Sequence, residues 1–198
     1  DVRGFSSVGL ELRLAPVWLQ TWDGAAGLTD RLLDVAVAST GTILSVGRER
    51  GPAGGSILQR WTLSGALSGT LAVAPWVTDN GGGSIGLDAA DNVYVAVTAN
   101  AGDILIRRYN PALVPLWTDL HDSGGEDIAG QHMDCRPTGE LFVAGATFGL
   151  LWDGFARRYS PAGPPASWTN MDLGNPDNDY TYAIAALPDG GAVAVGMD

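Results

Sequence analysis

The residues best suited to chemistry in this chain are carboxylates and amides gathered in four Gly-rich segments. These run from Asp23-Gly24 to Thr29-Asp30, across Asp79-Asn80-Gly81-Gly82-Gly83, from Asp122 to Asp127, and from Asp172 to Asp179, the last with Asn175, Asp177 and Asn178. Flexible loops of oxygen ligands are what calcium needs, about six to eight of them around one ion. The calcium candidates are Asp122, Glu126, Asp127, Asp172, Asp177 and Asp179. None of the loops has EF-hand spacing or the nonapeptide β-roll repeat. The same residue types also build turns, because Asp and Asn accept local backbone hydrogen bonds and tolerate positive φ. The segments therefore read first as turns and second as structural calcium sites, and no other cofactor is expected.

Other chemistries are weaker still. Glu126 with Asp127, or Asp177 with Asp179, offers paired carboxylates for glycoside hydrolysis. That reaction needs two carboxyls held roughly 5–10 Å apart across a bond, a geometry that adjacency does not supply. His121 and His132 do not recur, lack metal-ligand spacing and have no nucleophile motif beside them. Gly81-Gly82-Gly83 lacks the Lys-Ser/Thr of a phosphate loop. The single cysteine, Cys135, excludes an intramolecular disulfide and reads as a small filler in a turn. Arg107-Arg108 and Arg157-Arg158 are matched pairs on strands, where neighbours point to opposite faces, so one Arg of each pair is expected to ion-pair with a linker Asp at a seam. Trp22, Trp76 and Trp152 are aromatic platforms for sugar or protein contact if exposed, and packing residues if not.

What must position these residues is a repeat. STGTILSVG at Ser39–Gly47 returns as AADNVYVAV (Ala89–Val97), RPTGELFVAG (Arg136–Gly145) and LPDGGAVAVG (Leu187–Gly196). The turn residues Gly41, Asp91, Gly139 and Gly190 are spaced by 50, 48 and 51 residues. Such a period points to a propeller or another array. Within one period the pattern predicts a first hairpin around that turn, a third strand such as DILIRRY (Asp103–Tyr109), an Asn110-Pro111 or Ser160-Pro161 turn, and a fourth strand carrying Trp117 or Trp168. Four antiparallel strands in about 50 residues make one propeller blade. Phe5 to Trp18 has the separation of Phe155 to Trp168, so the chain begins inside a blade and, with Tyr182–Leu187 and Ala192–Val195, ends inside one.

The expected architecture is therefore all-β: a single four-bladed propeller over 1–198. Its parts are a half blade at 1–26, blades at 27–80, 81–125 and 126–178, and a half blade at 179–198, closed by pairing of the two halves. An eight-bladed ring of two chains, or a segment of a longer propeller, satisfies the same count. The composition agrees, with 45% hydrophobic and 17% charged residues, 28 Gly and 11 Pro. A formal charge of −11 opposes nucleic-acid binding, which needs a basic stripe. No apolar run reaches the roughly 18 residues of a membrane span. Asp1-Val2-Arg3-Gly4 does not resemble a signal peptide, so any export signal is expected to have been removed or never present.

The Gly/Asp-rich linker, the hairpin ending VYVAV or LFVAG, the DILIRRYNP or DGFARRYSP strand and the Trp strand together resemble the bacterial SBBP-type β-propeller repeats. The likeness covers nearly the whole chain, most closely Ile85 to Trp168, and departs at Ser6-Ser7-Val8 and Gly9, where the Arg-Arg strand and its Tyr belong. It implies exported or cell-surface bacterial proteins without an assigned activity. The functional expectation is a non-catalytic module that binds a protein or glycan or joins an assembly, self-association included. The alternatives are a polysaccharide hydrolase or lyase using acidic loop residues, and a structural subunit or fragment of a larger propeller.

Overall fold

The computed structural model describes residues 20–24, 27, 29–51, 54–75, 83–99, 102–125, 127–171 and 178–197. Among them there is strand and turn and no helix, so none long and apolar enough to cross a membrane. Three four-stranded antiparallel meanders follow one another. The first is β1 (Arg31–Val37), β2 (Ile43–Glu49), β3 (Gly55–Trp61) and β4 (Leu67–Pro75); the second is β5 (Gly83–Leu87), β6 (Val93–Ala99), β7 (Asp103–Tyr109) and β8 (Pro115–His121). The third is β9 (Asp127–Cys135), β10 (Leu141–Phe148), β11 (Trp152–Ser160) and β12 (Gly163–Met171), and a two-stranded hairpin follows, β13 (Tyr180–Ala186) with β14 (Ala192–Met197). The segments expected as strands between Leu33 and Val195 lie within or against these, with shifts of a few residues at their ends, whereas 20–24, the described stretch of the expected first half blade, is not strand. The expected half blade at 1–26 falls mostly outside the described residues.

Sheets pack face to face in chain order because the second strand of each inner sheet is apolar on both sides. In β6, Val93, Val95 and Val97 face the first sheet with Leu44, Val46, Leu58 and Val73, while Tyr94 and Ala96 face the third with Leu141, Val143, Phe155 and Tyr159. This is period-two alternation in a strand covered on both faces. In β10 the alternation continues: Phe142 and Ala144 turn to the last hairpin and pack on Ile184. First strands line up accordingly, β1 beside β5, β5 beside β9 and β9 beside β13, whereas β13 and β1 do not pack together in this way. The outer faces of the two end elements are uncovered among the described residues, exposing Val35 and Val37 on β1 and Val193, Val195 and Met197 on β14.

The repeated first turn is a three-residue loop whose last residue is left-handed. Gly41 (φ 82°), Asp91 (58°), Gly139 (86°) and Gly190 (92°) occupy that place, each donating its N–H to the carbonyl three residues back. This is a type I turn closed by a bulge, which Gly favours and Asp tolerates. The surroundings differ in a way that can be measured. A Cβ on Gly139 would lie 2.9 Å from the Tyr94 hydroxyl and 3.2 Å from Asp88 Oδ2, while on Gly190 nothing is nearer than 3.8 Å. Gly190→Ala should cost about 1 kcal/mol from backbone strain alone, and Gly139→Ala roughly 2–3 kcal/mol because a buried hydroxyl must also move. Urea unfolding of the two variants checks this; equal losses would refute the crowding at Gly139.

Candidate functional site

Polar side chains converge first at the seams between sheets. Alternation along β7 sends Arg107 back to the first sheet, where Nη1 donates to Val73 O at 3.0 Å, and Arg108 forward, where Nη1 donates to Pro161 O at 2.6 Å and Nη2 pairs with Asp88 at 3.1 Å. On β11, Arg157 likewise turns back to Asp119 of β8 at 3.7 Å, and Arg158 pairs with Glu140. The seam location matches the alternation argument. The acids do not match: Asp88, Asp119 and Glu140 come from turns and strands, because the arginines stand near the strand ends beside the first and third turns, away from the linkers at the sheet's other end. Of these pairs only Arg157–Asp119 crosses from one sheet to the next. Trp117 packs into the same seam, stacked on Tyr159 at 5.7 Å and edge-on to Tyr94 at 6.1 Å. Trp61, the first sheet's counterpart of Tyr109 and Tyr159, is buried with Nε1 donating to Ser45 Oγ.

Burial shifts the titration of several groups in and beside these seams. Burial pushes the Tyr94 and Tyr159 hydroxyls far above the usual tyrosine range. The Cys135 thiol is pushed up to about 12 by burial and nearby Asp88. Burial also lowers His121, helped by Arg157, and its ring lies edge-on to Phe155. His132 Nδ1 meets Ile184 O at 3.1 Å.

Three of the linker acids among the described residues bond backbone and hydroxyl groups of their own or an adjoining loop. Asp30 accepts from Gly24 N at 2.5 Å and Arg50 N at 2.8 Å; Asp127 accepts from Ser123 N at 2.9 Å and Ser123 Oγ at 2.5 Å; Asp122 accepts from Gly124 N at 2.7 Å. Asp127 and Asp179 also hang each first strand on the preceding sheet, their N–H groups donating to Gly102 O at 2.5 Å and Trp152 O at 2.7 Å. Among the described residues no three His, Cys, Asp or Glu side chains gather where one metal ion could be held. Of the other calcium candidates, Glu126, Asp172 and Asp177 lie outside the described residues, as do Trp76 and most of the Asp79–Gly83 linker.

A second constellation was only partly visible in the sequence. Phe148 and Trp152 are cross-strand partners at the end of β10 and β11, with ring centroids 5.1 Å apart. Trp152 continues to Tyr180 at 5.6 Å, and Tyr180 to Tyr182 at 6.1 Å with planes 3° apart. Trp152 stood out by residue type alone. Phe148, Tyr180 and Tyr182 were missed because the strip is assembled from strands distant in sequence; the i, i+2 pair Tyr180/Tyr182 was the available signal. Two grooves of about 310 Å³ lie on the uncovered ends, one lined by Leu32, Val35, Ile43, Ser45 and Trp61, the other between β11 and the hairpin beside Asp179, Tyr180, Val195 and Met197.

The Arg158–Glu140–Arg136 cluster yields a pH prediction. The hydrogen bond from Arg158, against a smaller opposing effect of burial, holds Glu140 below its ordinary value of 4.5. A depressed carboxyl contributes stability above its ordinary value and loses it as pH falls through the folded value. Glu140→Gln should therefore cost about 1 kcal/mol at neutral pH and shrink the loss of stability below pH 4.5. Denaturant titrations on both sides of that pH check it, and an unchanged acid limb in the variant would refute the role of Glu140. In comparisons with known proteins, no family model and no curated protein matches this chain.

Proposed function

We propose that the chain is a non-catalytic β-propeller repeat module that binds a protein or glycan partner, acting outside the cell or at the bacterial surface. The observation that carries the repeat reading is the spacing of hydrogen bonds between neighbouring sheets. Ile85 N reaches Asp34 across 51 residues, Ser39 reaches Asp91 across 52, Arg60 reaches Pro111 O across 51, and Ala186 N reaches Asp134 across 52. Arg108 repeats the Arg60 contact one sheet on, donating to Pro161 O across 53 residues, so neighbouring sheets are tied at a near-constant separation, as in an array whose units recognise only their neighbours. Binding is supported by where polar and apolar groups stand. The seam arginines, tyrosines and acids are spent on one another, while apolar and aromatic side chains remain exposed at the ends and loops.

In this reading residues 5–22 complete the last blade by pairing with the free edge of β14, and the units at 27–80, 81–125 and 126–178 are its whole blades. An open edge invites foreign strands, so closure also protects the molecule. Hydrogen exchange tests this part: β14 amides should be protected nearly as well as those of β10, and removal of residues 1–22 should make them exchange quickly. Fast exchange of β14 in the intact chain would sink closure. For function, glycan and protein ligands should be retained without bond cleavage. Turnover of any retained glycan, abolished by replacing an acidic loop residue such as Asp127 or Asp179, would replace the module by a polysaccharide hydrolase or lyase.

A further inference from the structure

We propose that the strip Phe148–Trp152–Tyr180–Tyr182 is a platform for a neutral, β-linked pyranose chain; this rests on the binding-module reading and names its ligand class. Pyranose rings with equatorial substituents present apolar C–H faces and a polar rim, so they are recognised by aromatic faces set among hydrogen-bonding groups. Four rings follow one another here at centroid separations of 5.1, 5.6 and 6.1 Å, with successive planes turned by 52°, 31° and 3°, a twisted succession of aromatic surfaces. The two outer rings are exposed, Phe148 at 38% and Tyr182 at 46%, the central Trp152 and Tyr180 are half-buried, and Leu150 at the tip of the adjoining loop is 97% exposed. Tyr180 and Tyr182 add hydroxyls, and Asn178 is exposed beside them.

The strip is also held in place before any ligand arrives, which lowers the cost of binding. Trp152 N donates to Asn178 Oδ1 at 3.1 Å, and Asp179 N donates to Trp152 O at 2.7 Å, so the two strand starts that carry the rings are bolted together. A β-bulge between Thr181 and Ala183 sets Tyr182 outward, with its hydroxyl on Met197 Sδ at 3.9 Å. The charge of −11 selects against acidic polysaccharides and leaves neutral chains as the occupant.

The test is calorimetric titration of the full chain with cellohexaose and chitohexaose, with polygalacturonate as the acidic comparison. At least one neutral hexamer should bind and the acidic polymer should not. Trp152→Ala should weaken binding by about tenfold or more, Tyr182→Ser several-fold, and Trp152→Phe much less, since stacking scales with the aromatic face. Val114→Ala, at an exposed turn away from the strip, should leave it unchanged. Tyr182 is exposed enough that its variant keeps the fold, which melting confirms. Failure of both neutral hexamers to bind overturns the platform, while capture of a protein ligand in its place would preserve the module. Binding unaltered in Trp152→Ala and Tyr182→Ser also overturns the platform and leaves glycan binding elsewhere. Cleavage of a hexamer overturns the non-catalytic reading instead, with the strip still judged by its variants.

Discussion

The rest of the structure depends on a strand that cannot tolerate water on either side. In β6 all seven residues, Val93 to Ala99, are buried, three valines toward one neighbour and Tyr94 and Ala96 toward the other. Burying one such side chain is worth roughly 1.5–3 kcal/mol, so leaving one face of β6 open would forfeit several of these at once. A sheet containing this strand must sit between two others. β10 imposes the same requirement one repeat later, and the sheets consequently stack in chain order instead of folding back on one another.

Apolar burial alone would let neighbouring sheets slide, and the seam groups prevent that. Arg107 and Arg108 leave β7 in opposite directions, and each ends on a backbone carbonyl of a different neighbour. Because those carbonyls have fixed positions, the bonds set the offset between sheets as well as their separation. Asp88 reinforces one such point: burial works to raise its pKa, but hydrogen bonds from Asn92, Ala90 and Tyr94 outweigh it, so the carboxylate stays charged opposite Arg108. A buried ion pair of this kind adds little net stability, and because Asp88 and Arg108 share a sheet its contribution is to hold the guanidinium that reaches across to Pro161 O.

The repeat, the strand grammar and the location of the arginines were legible in the sequence because each is a local pattern: a turn residue, a run of alternation, an Arg-Arg-Tyr at fixed distance from it. Asp91 could be assigned to the place Gly takes elsewhere because few residue types accept φ near 58°. The partners were not legible. That Tyr159 would meet the Asp119 carboxylate at 2.7 Å depends on the offset between sheets, and that Arg158 would meet Glu140 depends on how turn and strand are arranged within one sheet; no single strand encodes either. The aromatic strip was hidden for the same reason, its four rings coming from three strands and two sheets.

The two ends of each sheet are therefore unequal, and this bears on where a ligand can be accommodated. First and third turns share one end of a meander, and they are tied across the seams: Ser39 to Asp91, Ala89 N to Pro137 O, Arg136 to Pro188 O, and Arg60 and Arg108 to Pro111 and Pro161 carbonyls. Changing a residue there disturbs two sheets. The opposite end carries the second loops and the acidic linkers, tied between sheets chiefly through single backbone bonds such as Asp127 N to Gly102 O. Loops held by their backbones leave their side chains free to vary, which is the condition for acquiring a binding surface on a fixed scaffold. Phe148, Leu150, Leu151 and Trp152 lie at that end, so the partly exposed aromatic strip occupies the part of the fold where sequence can change at least cost to the stack.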